Sequence, residues 1–165
     1  MREEPVNAGT PIGEVPADKA AEVRASFNAS GLMRSMGAVI TQLGVGHCRL
    51  EMPFSDAVSQ QLGFFHGGAI GALADTAGGY AALTQMPLGA EVVTLEYKIN
   101  FLRPAAGDRL IADGIVLRIG RSVLVARVDV QVEKAGRRVL CAATQQSLMA
   151  PGLAPGQAPG DASAG

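Results

Sequence analysis

The 165-residue chain has no tryptophan, and its aromatic content is only 4%. Hydrophobic residues still make up 48%, so a core exists, filled mainly by Ala, Val, Leu and Ile. One domain of this length can bury a proper core. No apolar run approaches the ~20 residues that span a bilayer, which excludes a helical membrane anchor. There are two cysteines, Cys48 and Cys141, far apart and at no metal or redox spacing. They read as reduced core thiols. With only two histidines and no suitable cysteine pair, a zinc mechanism has no support, and no metal site is expected. There is no G-x-S-x-G nucleophile elbow and no P-loop. The opening "MREEPVNAGTP" has no apolar h-region, so no secretory signal is expected, and a cytoplasmic location is.

Charge of either sign is also scarce in excess. The net charge is -1, which argues against a nucleic-acid binder driven by global charge. The distribution is uneven, however. Nine Lys and Arg face six acids between Glu91 and Met149, a local excess of +3. That excess fits a solvated sheet surface or a shallow site for an anionic small molecule.

What is present divides into elements. Residues 1–16 are rich in Pro and Gly and read as a flexible segment. "PADKAAEVRASFNAS" reads as a short amphipathic helix from about Ala17, and "SGLMRSMG" as a turn or second short helix. "AVITQLGVGHCRLEMPF" reads as two strands joined at "GVG", and "SDAVSQQLGF" as a loop. A long helix runs from about Gly67 to Thr84 and ends at "QMPLGAE". Four strands follow. The first, "EVVTLEYKINFL", alternates with period two: Val93, Leu95, Tyr97, Ile99 and Phe101 against Thr94, Glu96, Lys98 and Asn100. Lys134-Ala-Gly-Arg is a hairpin signal. Residues 150–165 repeat Ala-Pro-Gly and read as a disordered tail. The layout predicts an α+β fold, one antiparallel sheet half-buried by one helix, over residues 17–149.

The long helix carries the feature that needs a chemical reason. In "GFFHGGAIGALADTAGGY" a lone carboxylate, Asp75, stands in a Gly/Ala run. At about 100° per residue Asp75 shares its face with Gly68, Gly71, Ala72, Gly78, Gly79 and Ala82. Ile70, Leu73 and Tyr80 point the other way, toward the expected sheet. Glycine costs roughly 1 kcal/mol against alanine in a helix interior, so a face with four of them has a use: the close approach of another chain or a ligand. Asp75 is then a candidate base. An exposed Asp75, or one satisfied by a hydroxyl such as that of Thr76, is the plainer alternative.

His66-Gly67-Gly68 opens the helix. First-turn N–H groups are unpaired and carry the positive end of the dipole, so this turn suits an oxyanion-type site. A plain loop-to-helix junction explains it equally well. Gly67 and Asp75 are eight residues apart, ~12 Å along a helix. They cannot meet at one reacting carbon within one chain. Either this pair does no catalysis, or the site is shared across a symmetric dimer.

The stretches "HGGAIGALADTAGGYAAL" and "VTLEYKINFLRPAAGDRLIADGIVLRIGRSVLVARVDVQ" resemble the hotdog-fold acyl-CoA thioesterases of the phenylacetyl-CoA thioesterase (PaaI-like) type. The resemblance covers roughly Ala29 to Met149. It rests on the H-G-G-x6-D spacing, the "RPAAGD" turn and the "GRS" turn in order. It implies one antiparallel sheet wrapped around a long helix and hydrolysis of an acyl-CoA thioester. It implies that Asp75 is the catalytic acid, as general base or nucleophile, and that the Gly67 amide polarises the carbonyl. It further implies a positioning role for His66 and a Thr94 that helps hold the water. Gln60 falls where many members carry an Asn, and neighbouring Gln61 offers an alternative. Alternation puts Thr94 on the polar face with Glu96, so only dimer geometry would bring it to Asp75.

For the coenzyme A moiety the candidates are Arg118, Gly120, Arg121 and Ser122 in "RIGRS", with Arg103 in "RPA". Gly68 adds room at the helix start. Phe64 and Phe65 are candidates for the acyl pocket or for core packing. No cofactor is expected, since coenzyme A belongs to the substrate. Partners are the acyl-CoA and further copies of the chain, a homodimer at minimum and a dimer of dimers from the resemblance. Two alternatives stay open: an acyl-thioester hydratase or dehydratase on the same fold, and a non-catalytic acyl-CoA-binding module.

Overall fold

The computed structural model describes residues 13–151. The expectations for residues 1–12 and 152–165 lie outside these, and residues 13–16 are irregular. Helix α1 spans Ala17–Ala29 and α2 spans Gly31–Ser35. Strands β1 (Val39–Gly44) and β2 (His47–Pro53) form a hairpin, and a single 3-10 turn covers Asp56–Val58. Helix α3 spans Gly67–Leu83. Strands β3 (Val93–Phe101), β4 (Arg109–Ile119), β5 (Leu124–Lys134) and β6 (Arg137–Met149) complete the chain.

All six strands form one antiparallel sheet in the order β1-β2-β4-β5-β6-β3. This is the α+β hotdog architecture expected from the sequence. The β5–β6 hairpin turns at Ala135 and Gly136, both at positive φ (49° and 77°), the geometry of the turns that match strand twist.

Helix α3 lies across β2, β4 and β5 and buries Ile70, Leu73, Ala74, Ala77 and Ala81 against Leu50, Met52, Leu110, Ala112, Val128 and Val130. Burying a Leu or Ile side chain contributes ~1.5–3 kcal/mol. The alanines matter differently: they let the helix sink onto the strands. At Gly114 of β4 an added Cβ would lie 2.6 Å from the Ala77 carbonyl oxygen, so the helix backbone rests on the strand backbone there.

Helix α1 buries Lys19, Val23 and Phe27, spaced by four. The Phe27 ring meets Tyr80 of α3 edge-on at 5.6 Å. The Lys19 ammonium reaches Glu22 at 2.6 Å and the Pro87 carbonyl at 3.0 Å, which anchors α1 to the loop after α3. Tyr80 thus packs on α1 as well as against the core to which the sheet contributes. Both thiols are buried. Burial pushes Cys48 up to about 12 and Cys141 up to about 11, which makes them poor nucleophiles. No helix among the described residues is long and apolar enough to cross a membrane.

Candidate active site

One face of α3 meets β3 as a row spaced by four. An added Cβ on Gly67 would lie 3.1 Å from the Phe101 ring, and one on Gly71 would lie 3.1 Å from the Tyr97 hydroxyl. At the next position Asp75 accepts a hydrogen bond from Thr94 Oγ1 through Oδ1, at 2.7 Å. The glycine face thus receives side chains of the same chain's sheet. The sequence reading had kept that face clear for another chain or a ligand. Gly78 makes the same point: its missing Cβ would lie 2.5 Å from Gln146 Oε1.

The position of Thr94 also corrects the sequence reading. Alternation put it on the face opposite Tyr97, and dimer geometry had to bring it to Asp75. In the structure β3 pairs Thr94 with Leu148 and Glu96 with Ser147, so Leu95 is an extra residue. This β-bulge resets the alternation. Thr94, Tyr97 and Phe101 then all meet α3 within one chain.

His66 is the N-cap of α3, and its Nδ1 accepts the Gly68 N–H at 2.9 Å. A neutral ring that accepts through Nδ1 carries its proton on Nε2. The bond needs a residue without Cβ at Gly68, where one would come within 3.0 Å of Nδ1. The Gly68 amide is therefore committed. The Gly67 N–H has no partner among the described residues and remains at the positive end of the helix.

A cleft of about 340 Å³ opens beside the carboxylate. Asp75, Thr76, Tyr80 and Leu83 of α3 line it, with Ser26 of α1, Ser30 and Thr94. Ser26 Oγ and the Tyr80 hydroxyl lie 3.2 Å apart, and burial pushes the phenol of Tyr80 up from its ordinary value.

The family model described as the Thioesterase superfamily matches residues 62–141. A thioesterase family protein from Silicibacter pomeroyi superposes with a TM-score of 0.78 at 38% identity, covering 80% of this chain and 97% of that one. The proofreading thioesterase EntH of Klebsiella pneumoniae is 31% identical over 120 residues, 71% of this chain and 88% of its own. This chain belongs to the thioesterase superfamily. The E. coli PaaI protein from the phenylacetic acid degradation operon shares the fold with a TM-score of 0.75 at 24% identity, covering 84% of this chain and 97% of that one. The fold is the hotdog fold, and the enzyme class of the chain is thioester hydrolase.

Within this thioesterase the other expected site residues scatter. Gln60 lies in a tight turn, donating through its N–H to Phe64 O, and its Oε1 accepts the Leu62 N–H. It does not line the cleft of its own chain's Asp75. Phe65 is buried and stacks edge-on with Phe54 at 5.1 Å, a position within the core of the single chain. The turn holding Gly120, Arg121 and Ser122 is closed by the Gly120 N–H donating to Val123 O, and Arg118, Arg121 and Ser122 are exposed.

Strand register sorts the cationic candidates. Ile119, Leu124, Leu148 and Thr94 are partners across four neighbouring strands. The "RIGRS" turn is therefore at the Thr94 end of the sheet, about 14 Å from Thr94 by strand spacing. Arg103 follows the other end of β3, where its Nη1 donates to Leu140 O at 3.3 Å. One end of the sheet thus carries Asp75, Thr94, Arg118 and Arg121. The other carries Gly67 and Arg103.

Sequence reasoning missed Gln146. This β6 residue is 1% exposed, and its Nε2 donates to Asp75 O at 3.2 Å and Oδ1 at 3.5 Å. The sequence holds no signal for it beyond a polar residue in a strand.

Proposed function

We propose that the protein hydrolyses an acyl-CoA thioester to the free acid and coenzyme A in a site shared by two copies of the chain. The single observation that carries the reading is the split within one chain. A carboxylate held by Thr94 and an unpartnered Gly67 amide sit at opposite ends of one row, ~12 Å apart along α3. Each is half of a hydrolytic site, and a two-fold axis supplies the other half. The free edge of β3, with Val93, Leu95, Tyr97 and Phe101 exposed, supports pairing with a second copy, since an unpaired edge strand templates association.

In this reading the Gly67 N–H of one subunit takes the thioester oxygen, and Asp75 of the other faces the carbonyl carbon. Thr94 occupies Oδ1, which leaves Oδ2 for chemistry. Asp75 takes a proton from water as the water oxygen bonds to carbon, or attacks the carbonyl itself. On the first route the C–S bond then breaks and the proton passes to the departing thiolate; on the second the thiolate leaves behind an acyl anhydride on Asp75, which water hydrolyses to the free acid, its proton passing to the thiolate. The acyl group occupies the cleft between α1 and α3. Arg118 and Arg121 from one subunit, with Arg103 from its partner, meet the phosphates. Gln60, its Oε1 held by Leu62, keeps its amide NH₂ to donate near the thioester. No cofactor is required.

Asp75→Asn tests the proposal. The variant is expected to fold, keep the wild-type oligomer and bind acyl-CoA while hydrolysis falls at least 100-fold. Near wild-type turnover by this variant would defeat the reading.

A further inference from the structure

The carboxylate of Asp75 is gripped from two strands. Thr94 reaches it from the edge strand β3, and Gln146 reaches it from the interior strand β6. We propose that Gln146 is a positioning residue for Asp75: its buried amide ties the carboxylate to the backbone of the helix that carries it and keeps Oδ2 turned to the cleft. The inference rests on the proposed role of Asp75.

The chemistry fixes how the amide is oriented. Both atoms it meets, the Asp75 carbonyl oxygen and Oδ1, are acceptors, so only the NH₂ end can face them. One donor group then contacts the main chain and the side chain of the same residue. That arrangement restrains the Asp75 side-chain torsions relative to α3, which the Thr94 bond alone does not do.

The surroundings point the same way. Gln146 is 1% exposed, and its Oε1 has no partner among the described residues. An apolar side chain of similar length would fill this place without a desolvated carbonyl. The helix leaves room for the amide as well, because a Cβ on Gly78 would lie 2.5 Å from Oε1. Gln146 and Gly78 thus form a fitted pair beneath the carboxylate. Among the described residues the amide donates only to Asp75, so its directional effect falls on that residue.

The test is Gln146→Met, which keeps length and removes the donor. Steady-state hydrolysis would be followed on the fastest of acetyl-, hexanoyl- and phenylacetyl-CoA, alongside thermal melting and size-exclusion chromatography. The expected result is a ten- to hundred-fold fall in kcat, the scale of a carboxylate misplaced by about 1 Å. KM should stay within about threefold, with melting temperature and oligomer retained. Wild-type kcat in folded Gln146→Met would overturn the inference. If that variant does not fold, Gln146→Asn decides with a polar chain one methylene shorter, whose amide stops short of Asp75 Oδ1. Wild-type kcat there would equally overturn it. Asp75→Asn run in parallel separates the two readings. An active Asp75→Asn defeats the role of Asp75 itself, whereas an inactive Asp75→Asn beside a fully active Gln146→Met defeats only the positioning role.

Discussion

Thr94 Oγ1 meets Asp75 Oδ1 at 2.7 Å because Leu95 is an extra residue in β3. Were Leu95 paired in regular alternation, the hydroxyl would face away from α3. A hydrogen bond to a charged group contributes ~1.5–3 kcal/mol, which corresponds to a ten- to hundred-fold effect on rate if it is needed in the transition state. Thr94→Val is expected to lower kcat on that scale with little change in KM, and Thr94→Ser to retain most of the activity. Deleting Leu95 should, unlike Thr94→Val, retain most of the activity, because with the extra residue gone Thr94 still pairs with Leu148 and shares the face of Tyr97. Steady-state kinetics of the three variants checks this, and a deletion variant as slow as Thr94→Val would disprove the assignment of Leu95 as the extra residue.

The Gly67 amide can be removed without breaking the helix. Proline is well tolerated at the first helical position, where the N–H lacks an intrahelical partner. His66 already has φ -67° and ψ 138°, as a residue before proline requires. Gly67→Pro therefore deletes the donor and adds carbon atoms facing the Phe101 ring. Gly67→Ala adds a Cβ at the same place, 3.1 Å from that ring, and keeps the donor. Loss of one oxyanion donor typically costs 10²–10³-fold in kcat. Gly67→Pro is expected to fall about that far below Gly67→Ala. Equal rates in the two variants would remove the amide from the mechanism.

A pH prediction comes from the outer face of the sheet. Asp113 accepts from His47 at 2.7 Å and from Arg49 Nε and Nη2 at 2.9 and 2.7 Å. Burial pushes its carboxyl up, but the bonds from His47 and Arg49 outweigh burial and hold it below the ordinary carboxylate range. Asp129, directly opposite on β5, is paired with Arg127 at 2.7 Å, which relieves the repulsion between the two acids. A carboxyl held low in the folded state adds stability above its unfolded value of about 3.9. That stability is lost as pH falls through the folded value. Asp113→Asn should thus melt lower than wild type at pH 6, and the gap should close toward pH 2.5. Thermal melts across that range test it, and a gap that widens in acid would contradict the assignment.

Much of the fold was legible because its signals are local. The 3.6-residue pattern of α3, the Ala17 start of α1 and the turn residues at Val45-Gly46 and Ala135-Gly136 each depend on a few neighbouring residues. The wide spacing of Gly67 and Asp75 was legible too, since helix rise alone sets it. Two site residues were not. A bulge is one residue inserted against a partner strand, and β3 by itself reads as unbroken alternation. Gln145 and Gln146 are adjacent and chemically identical, yet one is exposed and the other is buried under Asp75. Only the pairing of β6 decides which of them points inward.

The sequence by itself determined the element order, the α+β class, the apolar helix with its single acid, and the family. The first three rest on periodicity, spacing and turn chemistry carried within short stretches, and the family rests on resemblance to known thioesterases. Tertiary structure alone decided what the glycine face of α3 is for. Tyr97 and Gln146 fill it from strands 26 and 68 residues further along the chain than Gly71 and Gly78, a proximity that exists only once the sheet has closed against the helix. It also decided that the Arg118 and Arg103 regions lie at opposite ends of one sheet, because antiparallel strand order and not chain distance sets which turns share an end.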